Sequence, residues 1–167
     1  MGIVTRLALD RDAEGIRGIY NPEVLHSTVT FDLVPRTLED QLRWIGEHRG
    51  AHPALVAVDD TVEDGDLLGF GSLSPWRSRP AYATSVENSV YVSPEHRGAG
   101  VGGVLLWALI DTAGELGFHT VFARIVGGHQ SSIALHAGCG FEMVGVEREV
   151  GRKFGRWLDV VVMQRLL

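Results

Sequence analysis

The chain has 167 residues, 45% of them hydrophobic and 22% charged, with a formal net charge of −6. That is a single-domain length, residues 1–167, with enough apolar material for one core and a mean hydropathy that excludes intrinsic disorder. The acidic balance argues against nucleic acid as a partner, and the longest apolar run, Val101 to Ile110, reaches only about half of the roughly 20 residues of a membrane span.

The opening Met-Gly-Ile-Val-Thr-Arg lacks the charged start and apolar region of a signal peptide, so a cytoplasmic protein is expected. Ile3 to Leu9 alternates apolar and polar residues and predicts a strand. A short helix over Asp12 to Tyr20 follows, ended by Asn21-Pro22. Ser27 to Phe31 is β-branched and reads as extended. Thr37-Leu38-Glu39-Asp40 resembles a capping box, opening a helix that runs to Gly50. Pro53 to Val58 and Leu67 to Leu73 read as a strand pair joined by the turn-rich segment Asp59 to Asp66.

Ala83 to Val92 predicts a longer strand, stopped by Ser93-Pro94. A glycine-rich turn then opens a helix to Leu116, with Gly117 as its stop. His119 to Val126 is the next strand and Ser131 to Ala137 a short helix. Phe141 to Val150 and Trp157 to Arg165 are the last strands. Hairpins mixed with crossovers favour an α+β fold with a mixed sheet over a doubly wound one. The single cysteine, Cys139, has no partner for a disulfide or a thiolate metal site, and its small-residue surroundings read as buried packing. No metal site is expected.

The most informative stretch is Val92-Ser-Pro-Glu-His-Arg97-Gly98-Ala99-Gly100-Val101-Gly102-Gly103. A strand ends, glycines let a ligand approach the backbone, and the first amides of the following helix have no intrahelical acceptor. Such a turn suits a pyrophosphate. Gly98, Gly100 and Gly103 also satisfy the dinucleotide fingerprint, but the motif follows a hairpin series and the next strand ends in Val-Gly-Gly without an acidic residue. A phosphate loop of the Gly-Lys-Ser/Thr type is excluded by the absence of that triplet. A glycine-rich turn that only packs a helix on a sheet remains open on this motif alone.

Arg97-x-x-Gly100-x-Gly102 resembles the acetyl-CoA signature of the GNAT N-acetyltransferases. His129-Gln-Ser-Ser132-Ile-Ala-Leu-His136-Ala-Gly-Cys-Gly140-Phe141 resembles their second block, with His129 in place of the usual Asn. Asn21-Pro22, Ser27-Thr-Val-Thr-Phe31, Pro75-Trp76-Arg77-x-Arg79-x-x-Tyr82, Val86-Glu87 and Trp157-x-Asp159-Val160 resemble the phosphinothricin/methionine sulfoximine acetyltransferase branch over essentially the whole chain.

That resemblance implies a GNAT fold, acetyl-CoA as cosubstrate and transfer of its acetyl group to the amine of a small amino-acid analogue. It implies a cradle of Arg97, Gly98, Ala99, Gly100, Val101 and Gly102, with His129 and Ser132 beside the CoA arm. It also implies a splayed central sheet that frees amides at Val90, Tyr91 and Val92 to polarise the thioester carbonyl.

Glu87, a carboxylate on a mainly apolar strand, is the candidate base. His136, where many family members carry Tyr, is the candidate donor to the CoA thiolate. Trp76, Arg77, Arg79 and Tyr82 are the candidate acceptor loop, since Arg forks suit a carboxylate or phosphinate, with Thr30 and Phe31 closing the far side. A homodimer is expected, both from the family and from a Val-rich last strand read as an exposed sheet edge. The competing readings are another amine or a protein N-terminus as acceptor, and a CoA-binding module without catalysis.

Overall fold

The computed structural model describes residues 2–61 and 66–167. Residues 62–65, within the expected Asp59–Asp66 connection, lie outside the described residues. Strand β1 (Ile3–Leu7) leads through a 3-10 turn at Asp10–Asp12 into helix α1 (Ala13–His26). Arg6 grips Asp12 with both guanidinium nitrogens, at 2.7 and 2.8 Å, and Asp12 also accepts the Leu9 N–H, which fixes the entry to the helix.

Helix α1 does not stop at Asn21-Pro22 but runs to His26 with Pro22 inside it. Proline removes one ladder bond, yet buried Val24 continues the stripe begun by Ile16 and Tyr20, and one more turn of burial outweighs that loss. Asn21 serves as a fastener: its amide donates to Arg36 O and accepts Arg36 N–H, both at 2.9 Å. Residues 27–31 are likewise not a strand. They form bends, and Thr30 Oγ1 bonds Tyr20 Oη at 2.8 Å while accepting Asp32 N–H.

Helix α2 (Leu38–Glu47) begins at the expected capping box, where Thr37 and Asp40 exchange side-chain-to-backbone bonds. Strands β2 (Ala54–Asp59), β3 (Leu67–Pro75) and β4 (Ser85–Val92) form an antiparallel run, with a 3-10 turn at Pro80–Tyr82 before the last. Helix α3 (Val101–Glu115), strand β5 (Thr120–Val126), helix α4 (Gln130–Gly138) and strands β6 (Glu142–Lys153) and β7 (Arg156–Leu166) complete the order.

The sheet order is β1-β2-β3-β4-β5-β7-β6, with β4–β5 its one parallel pair among the described residues. This is the mixed, mostly antiparallel α+β sheet expected, with one correction. The Val-rich last strand is interior, held between β5 and β6, so it leaves no edge; the edge on that side of the sheet is β6, and β1 forms the other. A two-residue-spaced apolar pattern identifies a strand but does not say which neighbours it acquires.

Helices α1 and α2 cover one face over Ile16, Tyr20, Val24, Ile45 and Phe70. Helix α3 covers the other through Val101, Leu105, Leu106 and Leu109, joined there by Cys139 and Phe141. Gly71 permits this approach: a Cβ there would meet Leu109 Cδ1 and Ser89 O at 2.8 Å. Among the described residues no helix is long and apolar enough to cross a membrane.

Candidate functional site

Strands β4 and β5 pair only through Ser85, Val86 and Glu87, matched to Thr120, Val121 and Phe122. Beyond that point they separate, and a cleft of about 470 Å³ opens between them. Asn88 marks the vertex, its Nδ2 donating to Phe122 O at 3.0 Å. The cleft is walled by Asn88 to Val92 on one side, Ala123 to Val126 on the other, the turn from His96 to Gly103, and His129, Ser132 and His136.

Ladder alternation decides which amides face the cleft. Ser93 N–H donates to Leu68 O across 2.9 Å, and the register pairs Tyr91 with Phe70 and Ser89 with Ser72. Ser89 and Tyr91 therefore turn their backbone groups to β3, whereas Val90 and Val92 turn theirs into the opening. Of the three amides expected to be free, Val90 and Val92 are, and that of Tyr91 is committed to the sheet. The Tyr91 side chain belongs to the α1–α2 face, where it packs against Tyr20 and Phe70 and burial raises its phenol to about 12.

The glycine turn delivers the helix start as expected. Gly98 and Gly100 have φ of 76° and 87°, and Gly100 is the residue from which α3 springs. A Cβ at Gly100 would meet no protein atom within 4 Å, so the position borders space open to a ligand. Ala99 is exposed and does not line the cleft, although its neighbours do. Arg97 projects from the turn, its Nε 3.4 Å from Val92 O and its guanidinium 2.6 Å from the Glu23 carboxylate of α1.

His136 is buried on α4, with Nδ1 2.8 Å from Ser132 O and Nε2 3.1 Å from Asn88 Oδ1. Burial pushes its pKa down, against the pull of the Ser132 carbonyl. Burial lowers the His129 pKa too, and nearby Arg97 adds to the effect.

Glu87 is half-buried and projects from β4 on the side opposite Val86, outside the cleft lining. Burial raises its pKa against the opposing charge of Arg124, which does line the cleft and is paired with Glu147 at 2.5 Å. The two candidate proton carriers thus approach the splay from opposite faces of the sheet.

The candidate acceptor residues lie outside the main cleft. Trp76 stacks flat on Phe122 at 4.0 Å, and the Arg77 guanidinium lies over the Trp76 and Tyr82 rings at 5.2 and 5.6 Å. Arg77, Arg79 and Tyr82 shape a separate shallow depression. Thr30 is buried and Phe31 half-exposed, the latter lying on Gly151 of β6, where a Cβ would fall 2.3 Å from its ring.

Sequence reasoning missed three residues of this region. Asn88 was readable as a polar side chain on the apolar face between Val86 and Val90. Glu23 fell beyond the expected end of α1. Lys153, the only lysine, is 3% exposed, and its ammonium donates to Thr30 O at 2.8 Å and Glu23 O at 3.4 Å. Among the described residues no three His, Cys, Asp or Glu side chains gather in a group able to hold a metal.

Residues 20–141 match the acetyltransferase (GNAT) family. The chain is 38% identical to a phosphinothricin N-acetyltransferase of Streptomyces coelicolor, over 99% of this chain and 96% of that protein. It is 41% identical to an L-methionine sulfoximine/L-methionine sulfone acetyltransferase of Pseudomonas aeruginosa, over 92% of this chain and 88% of the relative. Among solved structures, a GNAT-superfamily phosphinothricin acetyltransferase from Sinorhizobium meliloti in complex with acetyl-CoA superposes with a TM-score of 0.93. It is 39% identical, covering all of this chain and 89% of that one.

Proposed function

Because the chain belongs to the GNAT acetyltransferase family, we propose that it transfers the acetyl group of acetyl-CoA directly to the amine of a small amino-acid analogue of the phosphinothricin or methionine sulfoximine type. The observation that carries this reading is the splay of β4 from β5 after Glu87 and Phe122, which leaves the Val90 and Val92 amides open above the glycine turn.

In this reading the helix-start amides from Gly98 to Gly102 and the Arg97 guanidinium hold the pyrophosphate. His129 and Ser132 flank the CoA arm. An open amide on β4 donates to the thioester oxygen as it gains charge. Glu87, with its raised pKa, takes the ammonium proton of the acceptor directly or through water, and His136 returns a proton to the thiolate.

Arg77 and Arg79 bind the acceptor's acidic groups beside Trp76 and Tyr82, with Thr30 and Phe31 closing the other side. Arg77 over the Trp76 and Tyr82 rings, with Arg79 lining the same depression, supports a small anionic acceptor over a cationic polyamine in this acidic chain. The protein works in the cytoplasm, as one domain over residues 1–167.

A second copy completes the assembly in this reading. Met143, Val144, Val146 and Val150 of the β6 edge, with Phe154 and Trp157 of the adjoining hairpin, are each 49% to 61% exposed. An apolar edge strand of this kind calls for a cover, and a two-fold partner supplies one.

The deciding experiment is a free-thiol release assay with acetyl-CoA and a panel of amino acids and their analogues. Release that depends on an amino-acid analogue supports the reading. Acetyl-CoA binding without release for any acceptor would replace it with a CoA-binding module.

A further inference from the structure

The hydrogen-bond demand between His136 and Asn88 is one that a neutral imidazole does not meet. Both residues are buried, 4% and 5% exposed, and both line the cleft. His136 Nδ1 faces the Ser132 carbonyl at 2.8 Å and Nε2 faces Asn88 Oδ1 at 3.1 Å. The Asn88 amide has its orientation fixed by the bond from Nδ2 to Phe122 O at 3.0 Å; turned over, its oxygen would confront a carbonyl oxygen. Both ring nitrogens therefore meet atoms that only accept. A neutral ring leaves one of these contacts as lone pair against lone pair, whereas an imidazolium donates to both.

We propose that Asn88 is a positioning residue that holds a proton on His136 Nε2, so that His136 stands ready as the acid for the departing thiolate. The inference rests on the acetyl-transfer reading above. In the step, the acceptor nitrogen bonds the carbonyl carbon, the C–S bond breaks with its electron pair on sulfur, and the Nε2 proton passes to that sulfur. Two protons leave the acceptor ammonium, the first to Glu87 before attack and the second to water as the amide forms. One is taken up again to recharge His136, so one proton is released per turnover.

Burial opposes the charged ring and holds its pKa below the ordinary value, while the Ser132 carbonyl pulls the other way. Asn88 Oδ1 is a second acceptor placed against the ring in the same water-poor setting. The titratable neighbour acting on the ring is His129, at the start of the same helix, which also disfavours charge. Strand β4 contributes Asn88, β5 the Phe122 carbonyl, and the turn after α4 the Phe141 ring, edge-on at 5.0 Å; none of these carries a charge.

The test is a pH titration of the ring nitrogens by NMR on ligand-free, 15N-histidine-labelled protein, with His136→Gln to assign the signals. In Asn88→Leu the His136 midpoint should fall by about one pH unit, or about tenfold in proton affinity, and the neutral ring should keep its proton on Nδ1. In Asn88→Asp, which keeps an acceptor and adds charge, the midpoint should rise above that of the wild type. Equal midpoints in all three proteins would overturn the proposal, and if the Leu variant fails to fold, an unmoved midpoint in the Asp variant does so alone.

In turnover, the alkaline limb of kcat should shift down with the Leu midpoint, and an unmoved limb would remove the acid role. The titration needs no acceptor. If the wild type releases no CoA, acetyl transfer falls while the assignment of the proton is still decided by the spectra.

Discussion

The Glu23 carboxylate of α1 holds Arg97 of the glycine turn at 2.6 Å while its other oxygen accepts the Ser27 hydroxyl at 2.5 Å. Glu23 also lines the cleft, so a negative charge stands beside the groove proposed for a polyanion, paired with the arginine that the polyanion needs. A pyrophosphate must take Arg97 from this partner. Half-exposed pairs of this kind are worth up to about 1 kcal/mol, so Glu23→Gln should bind acetyl-CoA roughly fivefold more tightly in calorimetry. Weaker binding would show that Glu23 orders Arg97 for the ligand instead of competing with it.

Gly100 gives a sharper test of the cradle. Its φ of 87° is a conformation that a β-branched residue adopts only with strain, and its missing Cβ leaves the cleft floor open. Gly100→Val should reduce acetyl-CoA affinity by about ten- to a hundredfold, the loss of one or two charge-assisted bonds. Normal affinity in a folded variant would move the phosphate site elsewhere.

Glu87 links pH to both rate and stability. Burial raises its pKa above the usual 4.5, with Arg124 only partly offsetting it. As a base it works deprotonated, so the rate should climb as pH rises through the raised value. Glu87→Gln should then cost about 10²–10⁴-fold in turnover with little change in acetyl-CoA binding.

The stability effect has the opposite sign. A carboxyl whose folded pKa is raised favours the folded state below its unfolded value and loses that advantage as pH rises through the folded one. Glu87→Gln should therefore melt at a higher temperature than the wild type at neutral pH and lose that advantage near pH 4. A turnover loss under about threefold across the pH range would take Glu87 out of the mechanism.

Lys153 ties the β6–β7 hairpin to the segment that carries Thr30 and Phe31. Its burial lowers its pKa, and the ammonium is spent on the carbonyls of Thr30 and Glu23. Lys153→Met leaves a buried carbonyl unmet, at a cost of about 1–3 kcal/mol. Because Phe31 rests on Gly151 of the same hairpin, KM for the acceptor should rise more than KM for acetyl-CoA. Equal rises would mean that this segment does not shape the acceptor side.

Much of this architecture is legible in the residues. The capping box at Thr37 and Asp40 and the positive-φ glycines before α3 are local signals that tertiary packing leaves intact. Asn21-Pro22 misleads for a physical reason: a helix break is a local preference, and burial of Val24 two residues later overrides it. The error carried forward, because Glu23 and its hold on Arg97 lie in the turn of helix that a break would have removed. Tyr91 shows a different limit. Which amides of a strand face a cleft depends on which ladder neighbour takes the alternate bonds, and that is set by β3, not by β4's own sequence.

The edge strand supplies the last test. With β7 interior, the apolar surface that calls for cover is β6 and its hairpin, where Val144 is 58% and Trp157 61% exposed. A two-fold partner seated there would lie against the hairpin that holds Phe31 through Gly151 and Thr30 through Lys153, so pairing would brace the acceptor side. Light scattering should give twice the 18.2 kDa chain mass at micromolar concentration. Val144→Lys combined with Trp157→Glu places charge on both parts of the patch and should yield a monomer with a raised acceptor KM. A wild-type mass near that of one chain, with full activity, would remove both the dimer and its bracing role.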